Sequence, residues 1–265
     1  MKRAALALAA ALLLQMGCRT LPSAVVQLPA DDPRPQALLA GWTARGGGLH
    51  SLQGSARVSL DGARGASFAR QLLAVERPAR LRVEVLGLLN QRIAVLATDG
   101  ERYDLYRSET AAVESGEIRP SVLWEVAGVP LTPEEAVGVL LGAPRMQCPG
   151  EAITGAVEGA DARVRFEIRC SDPYWWFVLE FDARELLSRY QVGGPEGTLY
   201  EVRYDDYREL GDTGFAHRVE LDFPLSEIRA EVEFRSVEVN PALPENLFRL
   251  ELPERVFSPP GGSSE

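Results

Sequence analysis

Apolar and polar residues alternate over long stretches of this chain, and that pattern limits the folds available to it. Each such stretch has aliphatic or aromatic residues at every second position and mostly charged residues between them: 80–85, 163–169, 200–205, 218–223 and 228–234. Successive side chains of a β-strand point to opposite faces, so the pattern predicts strands with one buried and one solvent-facing side. Such strands are typical of antiparallel sheets that bury one face.

The strands are numerous enough to require a curved sheet. Roughly eleven to thirteen strands follow from the alternation and from turn signals such as Asp99-Gly100. An open sheet seldom exceeds about ten strands without curling. We therefore expect a mainly β fold whose antiparallel sheet curves into a partial or complete barrel. The apolar parity changes between Phe234 and Val237, which predicts a bulge near Arg235-Ser236.

The periodicity changes from two to helical spacing in three places. Residues 34–44 and 120–126 have apolar side chains at helical spacing. The sequence TPEE at 132–135 is a capping box with proline at the first helical position, and it opens a helix over 136–141. The two mid-chain helices lie between two series of strands, so we expect them to cover the mouth of an open barrel.

The N-terminus has the features of a secretory signal peptide. A basic start precedes an apolar run over 4–14, which is too short to cross a bilayer because a spanning helix needs roughly 20 apolar residues. Cys18 follows a small residue, and this arrangement resembles the lipobox of bacterial lipoproteins. The resemblance implies that the mature chain begins at Cys18 and carries a lipid there. An ordinary cleaved signal followed by an incidental cysteine is the alternative.

The sequence divides into four segments on this interpretation. Residues 1–17 are the signal peptide, 18–33 the lipidated cysteine and a proline-containing tether, 34–257 the folded domain, and 258–265 a disordered tail. In bacterial lipoproteins an Asp directly after the cysteine favours the inner membrane, and this chain has Arg19. The resemblance therefore implies a lipid-anchored protein of the outer membrane that faces the periplasm.

Charge and motif content exclude several classes of function. The formal net charge is −10, which disfavours nucleic acid as a partner because phosphates require clustered Lys and Arg. The sequence has no zinc-ligand spacing, no Gly-x-Ser-x-Gly elbow and no phosphate-binding loop. The two histidines are His50 and His217, and His217 shares its parity with apolar neighbours, as a core residue does. We expect neither catalysis nor a bound cofactor or metal.

Cys148 and Cys170 form an even pair in a chain with an export signal. Exported domains commonly contain disulfides, so the pair is predicted to be bridged. The closed loop would contribute roughly 3 kcal/mol in the chain-entropy account. Two buried free thiols are the alternative.

Three segments together resemble the LolA/LolB group of periplasmic lipoprotein carriers and receptors. They are RLRVEVLGLLNQRIAVLATD at 80–99, LTPEEAVGVLLG at 131–142 and VEVNPALPENLFRLELP at 237–253. The resemblance implies an incomplete barrel around an apolar cavity that holds acyl chains, lidded by short helices. It also implies a periplasmic carrier protein as a partner. In the membrane-anchored receptors an exposed apolar loop aids delivery, and Leu88 and Leu89 match that loop here. The carriers use an arginine inside the cavity, for which Arg70 is a candidate.

The inner-facing positions of the strands and the mid-chain helices are the candidates for the cavity wall. They are Val83, Val85, Ile93, Val95, Trp124, Val139, Leu140, Trp175, Phe177, Leu179, Val202, Tyr204, Val219, Leu221, Val232 and Phe234. Packed core and cavity wall require the same side chains, so the pattern leaves both roles open for each residue. Transfer of lipid or lipoprotein is the function expected from the cavity. A structural envelope lipoprotein that uses the same sheet to bind a protein partner is the alternative.

Overall fold

A computed structural model describes residues 25–62, 65–148, 152–159, 161–171, 174–211 and 213–250. Cys18, the leader and the predicted tail at 258–265 lie outside these residues. The described chain forms a 14-stranded antiparallel sheet and three α-helices. The mainly β prediction is confirmed, and the sheet has slightly more strands than the sequence pattern indicated.

Two strand meanders make up the sheet. The first is β2 to β7, with bounds Ser51–Asp61, Ser67–Glu76, Arg80–Leu86, Arg92–Thr98, Arg102–Arg107 and Ala112–Glu117. The second is β8 to β14, with bounds Ala152–Glu158, Val164–Arg169, Trp176–Phe181, Leu187–Gly194, Gly197–Leu210, Thr213–Phe223 and Ile228–Val239. A two-residue strand, β1 (Val26–Gln27), pairs with the end of β8.

The last strand joins the two meanders into one sheet, because β14 pairs with β2. The spatial order is β1-β8-β9-β10-β11-β12-β13-β14-β2-β3-β4-β5-β6-β7. The end strands β1 and β7 do not pair with each other, so the barrel is incomplete. This open, curved sheet is the architecture that the LolA/LolB resemblance implied.

The predicted bulge is present in β14 and explains a glycine in its neighbour. The register between β14 and β2 shifts between Phe234 and Ser236. A Cβ atom on Gly54 would lie 2.2 Å from the Ser236 carbonyl oxygen. Glycine at this position therefore allows β2 to approach the bulged strand.

Three helices cover the concave face of the sheet. They are α1 (Arg34–Gly47), α2 (Val122–Ala127) and α3 (Pro133–Leu140). The capping box predicted for α3 is confirmed, because Thr132 Oγ1 accepts from the Glu135 N–H and the Glu135 side chain accepts from the Thr132 N–H. Such caps contribute about 1 kcal/mol each.

The C-terminal segment of the described chain crosses the outer face of the first meander. A short 3₁₀ helix at Glu245–Phe248 buries Phe248 completely, and the Arg249 Nε atom then donates to Asp104 Oδ2 at 2.9 Å. Burial alone would raise the pKa of Asp104. Hydrogen bonds from Ser115, the Leu250 N–H and Arg249 outweigh burial and lower that pKa. This segment therefore gives part of the outer face its own apolar cover.

A disulfide joins Cys148, before β8, to Cys170, after β9. The two cysteines are separated by 22 positions and lie at one end of the β8–β9 pair. The bridge therefore fastens the edge of the second meander where the chain returns from the mid-chain helices.

Replacing both bridged residues, Cys148→Ser with Cys170→Ser, should lower the free energy of unfolding by about 3 kcal/mol, because the unfolded chain regains loop entropy. Denaturant unfolding monitored by circular dichroism measures the change. Wild-type protein under reducing conditions is the control and should lose a similar amount. Equal stability of the oxidised wild type and the double variant would contradict this role for the bridge.

Candidate functional site

The two meanders pack their concave faces differently. Aromatic side chains fill the half formed by the second meander: Phe166, Phe177, Phe181, Tyr190, Tyr200, Phe215, Phe223 and Phe234. Their rings are in contact, as in the pair Tyr200–Phe223 with centroids 6.0 Å apart. Helix α1 completes this half, because Trp42 packs on Tyr190 with centroids 6.0 Å apart. This half of the concavity is a solid aromatic core.

Shorter side chains line the other half and leave a cavity of about 490 Å³. Strands β2 to β6 contribute Val58, Leu60, Ser67, Phe68, Ala69, Gln71, Leu73, Leu81, Val83, Val85, Ile93, Ala94, Leu96, Leu105 and Arg107. The helical segment and the neighbouring strands contribute Leu123, Val126, Ala127, Val129, Leu131, Ala136, Val139, Leu140, Leu221, Ala230 and Val232. The cavity therefore lies between the first meander and the mid-chain helices.

The cavity wall is almost entirely hydrocarbon. Ser67, Gln71 and Arg107 are the polar residues among those that line it. Ligand sites for small molecules typically measure about 300–1,000 Å³, so the size is that of a binding site. A wall with so few polar groups favours an apolar ligand without a specific polar pattern.

Helix α3 is held against the sheet by a buried hydrogen bond. The Tyr204 hydroxyl donates to the Val139 carbonyl oxygen at 3.2 Å. Burial raises the pKa of Tyr204 well above its ordinary value, so the hydroxyl keeps its proton and remains a donor. The bond joins a residue of the aromatic half to a residue that lines the cavity.

The cavity opens at one edge of the sheet, where β3 and β5 begin and β4 ends. Phe68 and Ile93 are exposed there although both line the cavity. The β4–β5 hairpin extends beyond the same edge, and its Leu88 and Leu89 are 101% and 88% exposed. We call this edge the mouth rim; the connections β2–β3, β4–β5, β6–β7, β9–β10, β11–β12 and β13–β14 form it.

Seven of the residues expected from the sequence line this cavity. They are Val83, Val85, Ile93, Val139, Leu140, Leu221 and Val232. All lie on the first meander, on α3, or on β13 and β14, the two strands that precede β2 in the sheet order. They converge because the β14–β2 pair brings the end of the chain beside its beginning.

Val95 needs correction, because it points to the outer face. Val95 pairs with the outer-facing Glu84, whereas Ala94 and Leu96 pair with Val85 and Val83, which line the cavity. Both faces of β5 are apolar, and the segment that contains Phe248 lies near the outer one. The alternation in β5 therefore did not identify its inner face.

Eight other expected positions also lie away from the cavity. Trp124 faces solvent on α2, whereas Leu123 and Val126 of the same helix line the cavity, and Trp175 is exposed just before β10. The other six belong to the solid core: Phe177, Leu179, Val202, Tyr204, Val219 and Phe234. Their parity was read correctly as inner-facing, but they belong to the buried core rather than to the cavity wall.

Arg70 also lies outside the cavity. It pairs across the sheet with Leu86, on the outer face, and its guanidinium donates to the Asn90 side chain at the hairpin. His217 is buried, and its Nδ1 atom lies 3.1 Å from the Phe215 carbonyl oxygen. It is a core histidine, as its parity predicted.

Sequence reasoning missed several wall residues that carry a readable signal. Leu60, Leu73, Leu81 and Leu96 share the inner parity of strands in which the inner positions are aliphatic, whereas aromatic residues such as Phe177 and Tyr200 take about half of the inner positions of β9 to β13. Side-chain size along the inner face therefore distinguishes the open half from the filled half.

Within the described ranges, no cluster of three or more His, Cys, Asp or Glu side chains could hold a metal ion. Across those same residues, no helix combines the length and apolar content that a membrane-spanning segment needs.

Comparison with known proteins finds similarity in structure alone. No protein-family model and no curated protein matches the sequence. An outer membrane lipoprotein-sorting protein domain from Vibrio parahaemolyticus superposes with a TM-score of 0.56 at 13% identity, covering 80% of this chain and 94% of that one. A LolA superfamily protein from Nitrosomonas europaea gives 0.54 at 11%, covering 81% and 97%.

A DUF1329 family protein from Desulfovibrio piger is also similar, with a TM-score of 0.53 at 8% identity over 82% of this chain and 98% of that chain. At these identities the likeness shows the fold. The protein thus has a LolA-like fold, a curved sheet around a lidded cavity, and the fold that the sequence resemblance implied is confirmed.

Tyr204→Phe should lower the free energy of unfolding by about 1 kcal/mol, because the buried hydrogen bond from the hydroxyl to the Val139 carbonyl is lost while that carbonyl keeps its bond from the Gly142 N–H. Tyr190→Phe is the matched control. The Tyr190 hydroxyl is buried and has no hydrogen-bond partner within the described residues, so its removal should leave stability unchanged or raise it. Denaturant unfolding of both variants tests the contrast. Equal destabilisation by the two substitutions would rule out the proposed role of Tyr204.

Proposed function

We propose that this protein binds lipid acyl chains in the cavity between the first meander and α3, and transfers lipid or lipoprotein at the bacterial outer membrane. The observation that carries the proposal is the aliphatic cavity of about 490 Å³, beside an aromatic half that is solidly packed. In this proposal the aromatic half stabilises the fold, and the aliphatic half is the ligand-binding site.

The energetics of the cavity favour hydrocarbon over water. The cavity is open at its mouth, so without a ligand its apolar wall is in contact with water. Water inside would find few partners on a wall whose polar residues are Ser67, Gln71 and Arg107. An acyl chain fills the space and gains about 0.8 kcal/mol for each methylene removed from water.

The β4–β5 hairpin supports a transfer role rather than storage. Leu88 and Leu89 extend into solvent at the mouth rim, where a loop that serves only the fold would favour polar residues. The Gly87 N–H donates to the Gln91 carbonyl oxygen at 2.9 Å, which closes the hairpin beneath the leucines. In this proposal the leucines enter the surface of the membrane and bring the mouth to it.

The N-terminus completes the proposal. Lipidation at Cys18 would hold the domain at the membrane that receives the cargo, with the outer membrane as its location and a periplasmic carrier as its donor. Binding and transfer by this site require no covalent chemistry, so we propose a binding protein rather than an enzyme.

Val85→Trp should block the cavity near its mouth and weaken binding of a fluorescent fatty-acid probe at least tenfold, because the indole occupies the space of the chain. Titration of the probe into protein produced without residues 1–18 measures this affinity. Leu72→Trp, on the outer face of the neighbouring strand, adds the same side chain outside the cavity and should bind as the wild type does. No probe binding by the wild type would refute the proposal.

Leu88→Glu with Leu89→Glu should slow transfer of a preloaded probe to phosphatidylcholine vesicles at least tenfold, because charged side chains resist entry into the membrane. The affinity for the probe should not change. The charge-matched control is Ala162→Glu with Ala183→Glu, in exposed turns at the opposite edge of the sheet. Transfer at the wild-type rate by the leucine variant would remove the hairpin from the mechanism.

A further inference from the structure

The exposed apolar side chains of the described strands and turns are concentrated on the mouth rim. Besides Leu88, Leu89, Phe68 and Ile93, this rim carries Tyr174 and Trp175 before β10, and Leu225 between β13 and β14. These side chains come from four separate connections of both meanders. The strands alternate in direction, so all four connections lie at the same edge of the sheet.

The opposite rim has a different composition. Its turns include Asp99-Gly100-Glu101 between β5 and β6, and Asp182 to Glu185 between β10 and β11. Its exposed large apolar side chains are Val25 and Val26, where the described chain begins. Both rims consist of turns between strands, so the fold does not require that exposed apolar side chains lie mainly on one of them.

From this asymmetry we propose that the β9–β10 hairpin, through Tyr174 and Trp175, is a second membrane contact, and that the whole mouth rim lies on a lipid bilayer. The inference rests on the proposed function, because it adds a second contact to the leucine hairpin and faces the cavity mouth toward the lipid. Tyr and Trp are enriched at membrane–water interfaces, where an apolar ring and a polar group are both satisfied.

The aromatic hairpin is braced at its base. Cys170 is bridged to Cys148, and the Cys170 N–H donates to the Trp175 carbonyl oxygen at 3.3 Å. Trp175 is 41% exposed despite this support. The bond ties Trp175 to the end of β9 while its indole remains exposed, an arrangement suited to contact with a surface.

Charge at the rim favours insertion over electrostatic attraction. Arg92 and Arg107 flank the mouth and are paired with Glu84 and Glu114, and Arg70 bonds to Asn90 in the leucine hairpin. Attraction to anionic lipid needs clusters of basic residues, which these pairs do not provide. Binding should therefore depend on apolar contact, and neutral phosphatidylcholine is the appropriate membrane.

The length of the chain before β1 is compatible with this orientation. Eight peptide units separate Cys18 from Val26 and can span about 28 Å when extended. Val26 pairs with Glu158 at the end of β8, about 20 Å along that strand from the mouth rim. A lipid on Cys18 can therefore lie in the same membrane that the mouth rim contacts.

Quenching of tryptophan fluorescence tests the contact. The full chain, with its anchor, is incorporated into vesicles of phosphatidylcholine with brominated acyl chains. Trp175→Phe should remove at least half of the quenching that the lipid causes. Leu225→Trp, on the mouth rim, should add quenching. Leu72→Trp should not, because residue 72 is similarly exposed at 40% but lies on the outer face.

Undiminished quenching in Trp175→Phe, or equal gains from Leu225→Trp and Leu72→Trp, would overturn the inference. Absence of quenching in the wild type would also overturn the inference, and binding of a protein to the rim would then be the alternative. Binding of the fatty-acid probe by Trp175→Phe separates the two proposals. Normal probe binding with unchanged quenching overturns the membrane contact alone, whereas absent probe binding in wild type overturns the cavity function.

Discussion

The unequal packing of the concave face is the constraint on which the rest of the structure depends. Aromatic residues such as Tyr190 and Phe223 fill the half under α1, and aliphatic residues such as Val83 leave space under α3. The side chains around a void have no dispersion partners on that side, and only another apolar molecule can supply them. The ligand proposed for the site therefore follows from side-chain size.

Most of the architecture was predictable from local pattern. Alternation of period two identified the strands, because each strand has one wet face and one dry face. The change of parity after Phe234 located the β14 bulge, and TPEE located the start of α3. These predictions are correct because turns, helix caps and the alternation of strand side chains depend on residues that are neighbours in the sequence. The pairing of β14 with β2 is not local, so the periodicity of the sequence did not predict it.

The site was only partly predictable, for two physical reasons. In β5 both faces are apolar, since the segment around Phe248 lies near the outer one, and parity alone could not distinguish Val95 from Leu96. In the second meander, Phe177 and Val219 have the inner parity that a cavity wall requires, yet they pack in a filled core. Parity reports which way a side chain points, whereas filling depends on the volumes of residues far apart in sequence. A comparison of side-chain volumes on the inner faces of the two meanders would have separated cavity-wall residues from core residues.

The central claim is that hydrocarbon, rather than the protein's own side chains, fills the aliphatic half. A crystal structure of the protein purified from bacterial membranes tests this claim most directly. The account predicts continuous, elongated density between Val83 and Val139, entering from the side of Leu88 and Leu89. A collapsed interior, in which α3 packs directly on β3 and β4 and leaves no space for a chain, would contradict it.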